Sequence, residues 1–240
     1  MKIEIRKVDK DKGIVRITCP DERWYVKDEE YVPSVTWITH FYPKGIGYMQ
    51  WLAKHGWDES EAIKTEAGDR GTIVHHAIQK LIEDKELKMD SLIRDREGVE
   101  REMTPDEYAC VVSFASWYKE TNPTILGLEY VVWGDGYAGT VDLLCEIDGQ
   151  KWLIDLKTSQ AVYPSHEIQV SAYLHATGQF DASGANLAIL QVGYKRNKAG
   201  FKFTEVEDQY DTFLATKKIW AKETSGEKPH QKDYPLLLKL

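Results

Sequence analysis

The sequence predicts an α/β protein in the broad (α+β) sense, a central mixed β-sheet flanked by helices and preceded by an N-terminal β-decoration. Three observations carry that expectation. Apolar residues repeat at the helical period through Ile73, Val74, Ala77, Ile78, Leu81 and Ile82. They then repeat at period two in three successive runs between 125 and 158, and helix and strand patterns alternate after that. With 240 residues and 42% hydrophobic content, the chain can bury a substantial core within one domain. Its expected organisation is a β-ribbon over 1–33, the main domain over 34–228 and an irregular tail over 229–240.

Each element has its own signal. Lys2 to Arg6 and Ile14 to Ile17 alternate apolar with polar side chains, as strands of an antiparallel ribbon do. From Ser34 the pattern turns helical, through Trp37-Ile38, then Tyr48 to His55, then a longer run ending near Glu83. Thr104-Pro105-Asp106-Glu107 places a capping Thr, a Pro at the first helical position and a Glu three residues after the cap, which starts a helix running to about Thr121. Strands follow at Ile125–Trp133, Tyr137–Ile147 and Lys151–Thr158, the last two joined by a turn at Asp148-Gly149. A helix from about Ser165 to Ala176, strands at Leu187–Tyr194 and Phe201–Val206, and a helix from about Asp208 to Thr224 complete the pattern.

Charge and cysteine content narrow the function classes. A net charge of −8 argues against a uniformly basic surface that coats nucleic acid, so any such contact must be local. Cys19, Cys110 and Cys145 are widely spaced and form no C-x-x-C pair, which speaks against a disulfide framework and a cysteine-built zinc site. The expected setting is reduced, intracellular and cytoplasmic, with no apolar run long enough for a membrane span.

The hairpin turning at Asp148-Gly149 holds the most informative juxtaposition. A two-residue turn sets Val141 opposite Leu156, Leu143 opposite Ile154 and Cys145 opposite Trp152, making one side of the ribbon apolar. On the other side Glu146 faces Lys151, and Asp142 faces Asp155. Two opposed carboxylates repel, so a divalent cation, a shared proton or a neighbouring cation must compensate, and Lys157 lies two residues on along the same face.

Further polar groups gather around this pair in the pattern. His75 edges the apolar stripe of its helix, because Ile78 and Ile82 follow at i+3 and i+7, whereas His76 leads to Gln79, Lys80 and Glu83. Glu129 interrupts an apolar strand and reads as a metal ligand, a supporting group or an exposed edge residue. Gln169 and Tyr173 stand four apart and share a helix face.

Taken in order, Gly71-Thr72-x-x-His75, Glu129, Gly139-Thr140-Val141-Asp142, Ile154-Asp155-Leu156-Lys157-Thr158 and Gln169-x-x-x-Tyr173 resemble the RecB-like branch of the PD-(D/E)XK nuclease superfamily. The resemblance spans roughly residues 31 to 177, and Val32-Pro33-Ser34-Val35-Thr36 with Trp51 is similar to phage-type and mitochondrial genome-maintenance exonucleases of that branch. It implies a restriction-endonuclease-like core and an Mg²⁺- or Mn²⁺-dependent deoxyribonuclease, an exonuclease of replication, repair or recombination. It implies one or two ions held by His75, Asp142, Asp155 and the Leu156 carbonyl, with Lys157 as the catalytic lysine. Gln169 and Tyr173 would support the site or the DNA, and Glu129 is a further catalytic candidate. Val141 stands where the superfamily has proline. Three scattered cysteines cannot supply the four ligands of the iron-sulfur cluster found in some relatives, so none is expected.

The expected partner is DNA, as single strands or duplex ends. Lys195, Arg196, Lys198 and Lys202 form the densest basic stretch near the expected site, and Trp133, Tyr137 and Tyr163 are aromatic candidates for stacking on bases. The alternatives are a non-cleaving DNA- or protein-binding module on the same fold, a site-specific endonuclease, and a hydrolase of small phosphoesters.

Overall fold

The computed structural model describes residues 4–9, 12–19, 22–193 and 200–224. Lys195, Arg196, Lys198 and the expected tail over 229–240 lie outside them. The ribbon signal resolves into an antiparallel sheet of four strands, β1 (Glu4–Asp9), β2 (Ile14–Thr18), β3 (Arg23–Lys27) and β4 (Glu30–Pro33), in sequence order. Helix α1 (Val35–Thr39) follows, capped by the Ser34 hydroxyl, which accepts the Trp37 N–H at 3.0 Å. Helix α2 (Ile46–Asp84) breaks at Gly56 (φ 73°, ψ 174°), backbone that suits glycine, so the two helical runs of the sequence remain distinct.

A short hairpin, β5 (Leu92–Arg94) with β6 (Glu100–Glu102), then leads into α3 (Pro105–Thr121). The start of α3 carries the expected capping box: Thr104 Oγ1 accepts the Glu107 N–H and the Glu107 carboxylate accepts the Thr104 N–H at 2.7 Å. Strands β7 (Thr124–Gly134), β8 (Tyr137–Ile147) and β9 (Gln150–Lys157) come next, then α4 (Pro164–Leu174) and β10 (Thr177–Gly178). Strands β11 (Asn186–Val192) and β12 (Phe201–Val206) precede the final helix α5 (Tyr210–Thr224).

The six-stranded central sheet has the order β10-β7-β8-β9-β11-β12; β9 and β11 run parallel and the other neighbours antiparallel, so the sheet is mixed. Helices cover both faces. Ile73, Val74, Ala77 and Ile78 of α2 pack with Phe114 and Trp117 of α3 against Leu143, Cys145, Ile154 and Leu156. The opposite face carries Ile38 of α1, Ile168 and Ala172 of α4, and Phe213 and Trp220 of α5, against Leu144, Leu153 and Ile189. No helix among the described residues is long and apolar enough to cross a membrane.

The β8–β9 turn sits at Asp148 (φ 51°) and Gly149 (φ 75°), and the pairs Cys145↔Trp152 and Leu143↔Ile154 follow the expected register. Two expectations on this hairpin need correction. Glu146 faces Lys151 along the backbone, yet the Lys151 ammonium turns to the Asp181 carbonyl at 2.9 Å. Val141 does not join Leu143 on the α2 side but packs in the opposite core with Leu144 and Leu153.

The reason lies in both strands at once. Glu129 of β7 has φ 46°, and its neighbours Leu128 and Tyr130 pair with Leu143 and Val141, which places Glu129 level with Asp142. Leu128 packs on the α2–α3 side and Tyr130 on the α4 side, so β7 also reverses its inward face at this level. Strand β9 keeps strict alternation through Trp152, Ile154 and Leu156. The sheet is thus rotated locally where the acidic residues sit.

Candidate functional site

Helix α2 brings His75 over the point where β7 and β8 rotate. Its Nδ1 lies 3.6 Å from Glu129 Oε1 and 3.5 Å from Asp142 Oδ1, while Nε2 lies 3.2 Å from the Leu156 carbonyl oxygen. The ligand atoms of His75, Glu129 and Asp142 all fall within 4.8 Å of one another. Three separate segments converge there because the apolar stripe of α2 lies on the sheet.

Asp142 and Asp155 meet differently from a simple opposed pair. The β8–β9 ladder ends at Leu143↔Ile154, and the Asp142 carboxylate itself accepts the Leu156 N–H at 2.7 Å. Extending the register would give that N–H to the Val141 carbonyl, which the rotation of β8 removes. Asp155, 1% exposed, accepts from Gln169 Nε2 at 2.9 Å through Oδ1, and its Oδ2 lies 2.5 Å from Lys157 Nζ. That Oδ2 makes no hydrogen bond of good geometry, so Lys157 holds it mainly through charge. Gln169 also donates to the Tyr173 hydroxyl at 2.9 Å, and the Tyr173 ring fills the space a Cβ on Gly139 would need.

Electrostatics separate the two aspartates. Burial pushes the Asp155 carboxyl up to about 6, with Asp142 adding to the rise and Lys157 opposing it. Burial acts the same way on Asp142, but the His75 ring, then Lys157 and the Leu156 N–H, outweigh it and hold that carboxyl below the ordinary carboxylate range. For His75, burial works against the charged ring; Asp142 and then Glu129 overcome it and raise the ring well above the ordinary histidine value. Tyr173 is raised well above the ordinary tyrosine value by burial, then by Asp155 and Asp142, which keeps it a neutral hydrogen-bonding group.

The donor set fits a hard divalent cation. One imidazole nitrogen and two carboxylates converge, with a buried, poorly bonded Asp155 oxygen alongside. Of the ligands that the resemblance implies, His75 and Asp142 share the converging group and Glu129 completes it. Asp155 faces Lys157 and Gln169, and the Leu156 carbonyl sits on the far side of the His75 ring.

Other candidate residues fall into place unevenly. Tyr163 is exposed at the start of α4, with its ring edge-on to His166 at 5.2 Å. Tyr137 is fully buried and donates to the Ala172 carbonyl at 3.0 Å, so it is a core residue with no face to offer a base. Trp133 is half-buried against the N-terminal sheet, and Lys202 is exposed on β12. Sequence reasoning passed over Gln191, which pairs in register with Lys157 and donates to the Ser159 carbonyl at 2.8 Å, steadying the chain as it leaves β9. A buried amide inside the apolar run Leu187–Val192 was the signal for it. No protein-family model matches the chain, and no curated protein matches it.

Proposed function

We propose that the protein is a metal-dependent deoxyribonuclease, and, following the resemblance of its motifs, an exonuclease. The observation that carries this reading is the convergence of His75, Glu129 and Asp142 beside the Lys157–Asp155–Gln169 chain. His75, Glu129 and Asp142 would hold Mg²⁺ or Mn²⁺, with Asp155 as the adjacent carboxylate. When bound, the ion supplies Lewis-acid polarisation of a phosphoryl oxygen and a lower pKa for a coordinated water.

The chain's own groups do the rest. Lys157, with its side chain 20% exposed, presents an ammonium at the edge of the site where a phosphate would stand. Fixed positive charge at that place offsets the negative charge that builds on phosphoryl oxygens during displacement and orients an attacking water. Asp155 and Gln169 keep the ammonium in place: the carboxylate fixes Nζ, and the amide fixes the carboxylate. Tyr173 anchors that amide and is itself seated by Gly139. No residue need form a covalent intermediate.

The test is cleavage of end-labelled single-stranded, duplex and flap DNA with Mg²⁺ and with Mn²⁺. Lys157→Ala should lower turnover by about 10²–10³-fold, the usual loss when one preorganised charge-stabilising donor is removed. Asp155→Ala should lose at least as much, both with wild-type circular dichroism. Wild-type turnover by either purified variant overturns the assignment.

A further inference from the structure

The N-terminal sheet carries a cluster of cations that have no counter-ion among the described residues. Its register aligns Arg6 with Arg16 and Arg16 with Tyr25, while Thr18 aligns with Arg23. Arg16, Tyr25 and Arg23 therefore share one face, with the two arginines on diagonal positions within reach of long side chains. That face looks inward, because Ile14, Tyr25 and Val32 on it pack against Val131 and Ala138 of the central sheet. The Tyr25 hydroxyl shares a 2.9 Å hydrogen bond with Thr140 Oγ1, two residues before Asp142, so the cluster stands beside the acidic centre. Arg96, exposed in the turn between β5 and β6, stands near enough to repel Arg23, and its Nη1 lies 3.9 Å from where a Cβ on Gly68 of α2 would be.

Nothing in the described residues neutralises these groups. Neither Arg16, Arg23 nor Arg96 forms an ion pair among them, and Arg16 Nε is buried without a hydrogen-bond partner. Burial lowers the Arg23 guanidinium from its ordinary value, and repulsion from Arg16 and then Arg96 adds to it. Half-buried cations such as Arg16 and Arg23, placed on diagonal positions of one inward face, are costly unless an anion joins them. No carboxylate of the described residues pairs with them, which points to an anion from outside. The guanidinium fork matches phosphate oxygens in a bidentate fashion.

The geometry points to Arg16, Arg23 and Arg96 as a phosphate-binding pocket that seats a phosphate of the DNA strand next to the acidic centre. It rests on the nuclease reading for the owner of that phosphate, which is either a terminal monoester or an internal diester.

The test uses the full chain, inorganic phosphate as one probe, and a short single-stranded oligodeoxynucleotide bearing a 5′-phosphate or a 5′-hydroxyl as the other, all in EDTA. Inorganic phosphate should raise the melting temperature of the wild type and not that of the Arg16→Gln/Arg23→Gln double variant. Oligonucleotide affinity should fall about tenfold or more, and the slope of log affinity against log salt should fall by roughly one for each arginine that contacts a phosphate. Arg23→Lys, which keeps the charge, should retain part of the affinity. A deficit confined to the 5′-phosphorylated probe assigns the pocket to a terminal monoester, and an equal deficit on both probes assigns it to an internal diester. Should the double variant fail to fold, Arg96→Gln, on an exposed turn, takes its place with the same readings. An unchanged phosphate response and salt slope in a folded variant overturns the pocket. Arginine-dependent phosphate binding in a chain that cleaves no labelled DNA keeps the pocket and removes the nuclease reading.

Discussion

Single residues show where folding and chemistry diverge. Glu129 holds a left-handed backbone conformation that costs an L-residue roughly 1 kcal/mol and glycine almost nothing. Glu129→Gly should therefore be more stable than Glu129→Ala by about 1 kcal/mol in urea denaturation, while both lose metal-dependent cleavage. A lower midpoint for the glycine variant would contradict the strain. His166 makes a pH prediction. Burial, with Lys157 and Lys44 nearby, lowers its ring to about 3. The unfolded chain then takes up a proton near the ordinary histidine value of about 6.5 while the folded chain does not. Stability is complete above that value and is lost as pH falls from there towards about 3. His166→Gln should flatten this decline in melting temperature between neutral and mildly acidic pH, and parallel curves for the two proteins would refute it. The helical period put His75 on the buried edge of α2, but the order of the motifs, not the strand period, linked it to Asp142, Asp155 and Lys157, because the rotation of β8 carries Asp142 off the face that alternation gives it. The role of Glu129 was not legible in the sequence, because its left-handed conformation depends on what packs on either side of β7.

Elements were legible wherever a local signal dominates. The box at Thr104 and Glu107 marks the start of α3 because both partners lie within one turn, and Arg101 adds a bidentate grip on the Glu107 carboxylate at 2.7 and 2.9 Å. Thr104→Ala should cost about 1 kcal/mol, read as a lower urea midpoint with unchanged slope. A change smaller than about 0.5 kcal/mol, ordinary for a surface site, would mean that Arg101 alone secures the helix start. The turn at Asp148-Gly149 set the β8–β9 register for the same local reason. The β5–β6 hairpin escaped notice because its strands are three residues each and rich in charge, leaving no period to read. The local rotation of β7 and β8 escaped because it is a tertiary event, imposed by helices packing on opposite faces of two adjoining strands.

At the scale of the molecule, the N-terminal sheet is built into the body. Trp24 of β3 is fully buried, with ring centroids 5.1 Å from Trp37 of α1 and 6.1 Å from Trp220 of α5. Trp37 and Trp220 in turn stand 5.1 Å apart. Trp24→Ala should cost about 3–5 kcal/mol and lower the melting temperature of the whole protein in one transition. A separate early transition confined to the N-terminal sheet would show instead that it unfolds independently. The same triad has a consequence for how the chain comes into being. Trp24 leaves the ribosome long before Trp220, and at about 5–20 residues per second the interval is roughly 10–40 s. Throughout it the indole waits without its last neighbour, so a nascent chain arrested before α5 should be open to protease attack in its first strands, and release of the finished polypeptide should close that window.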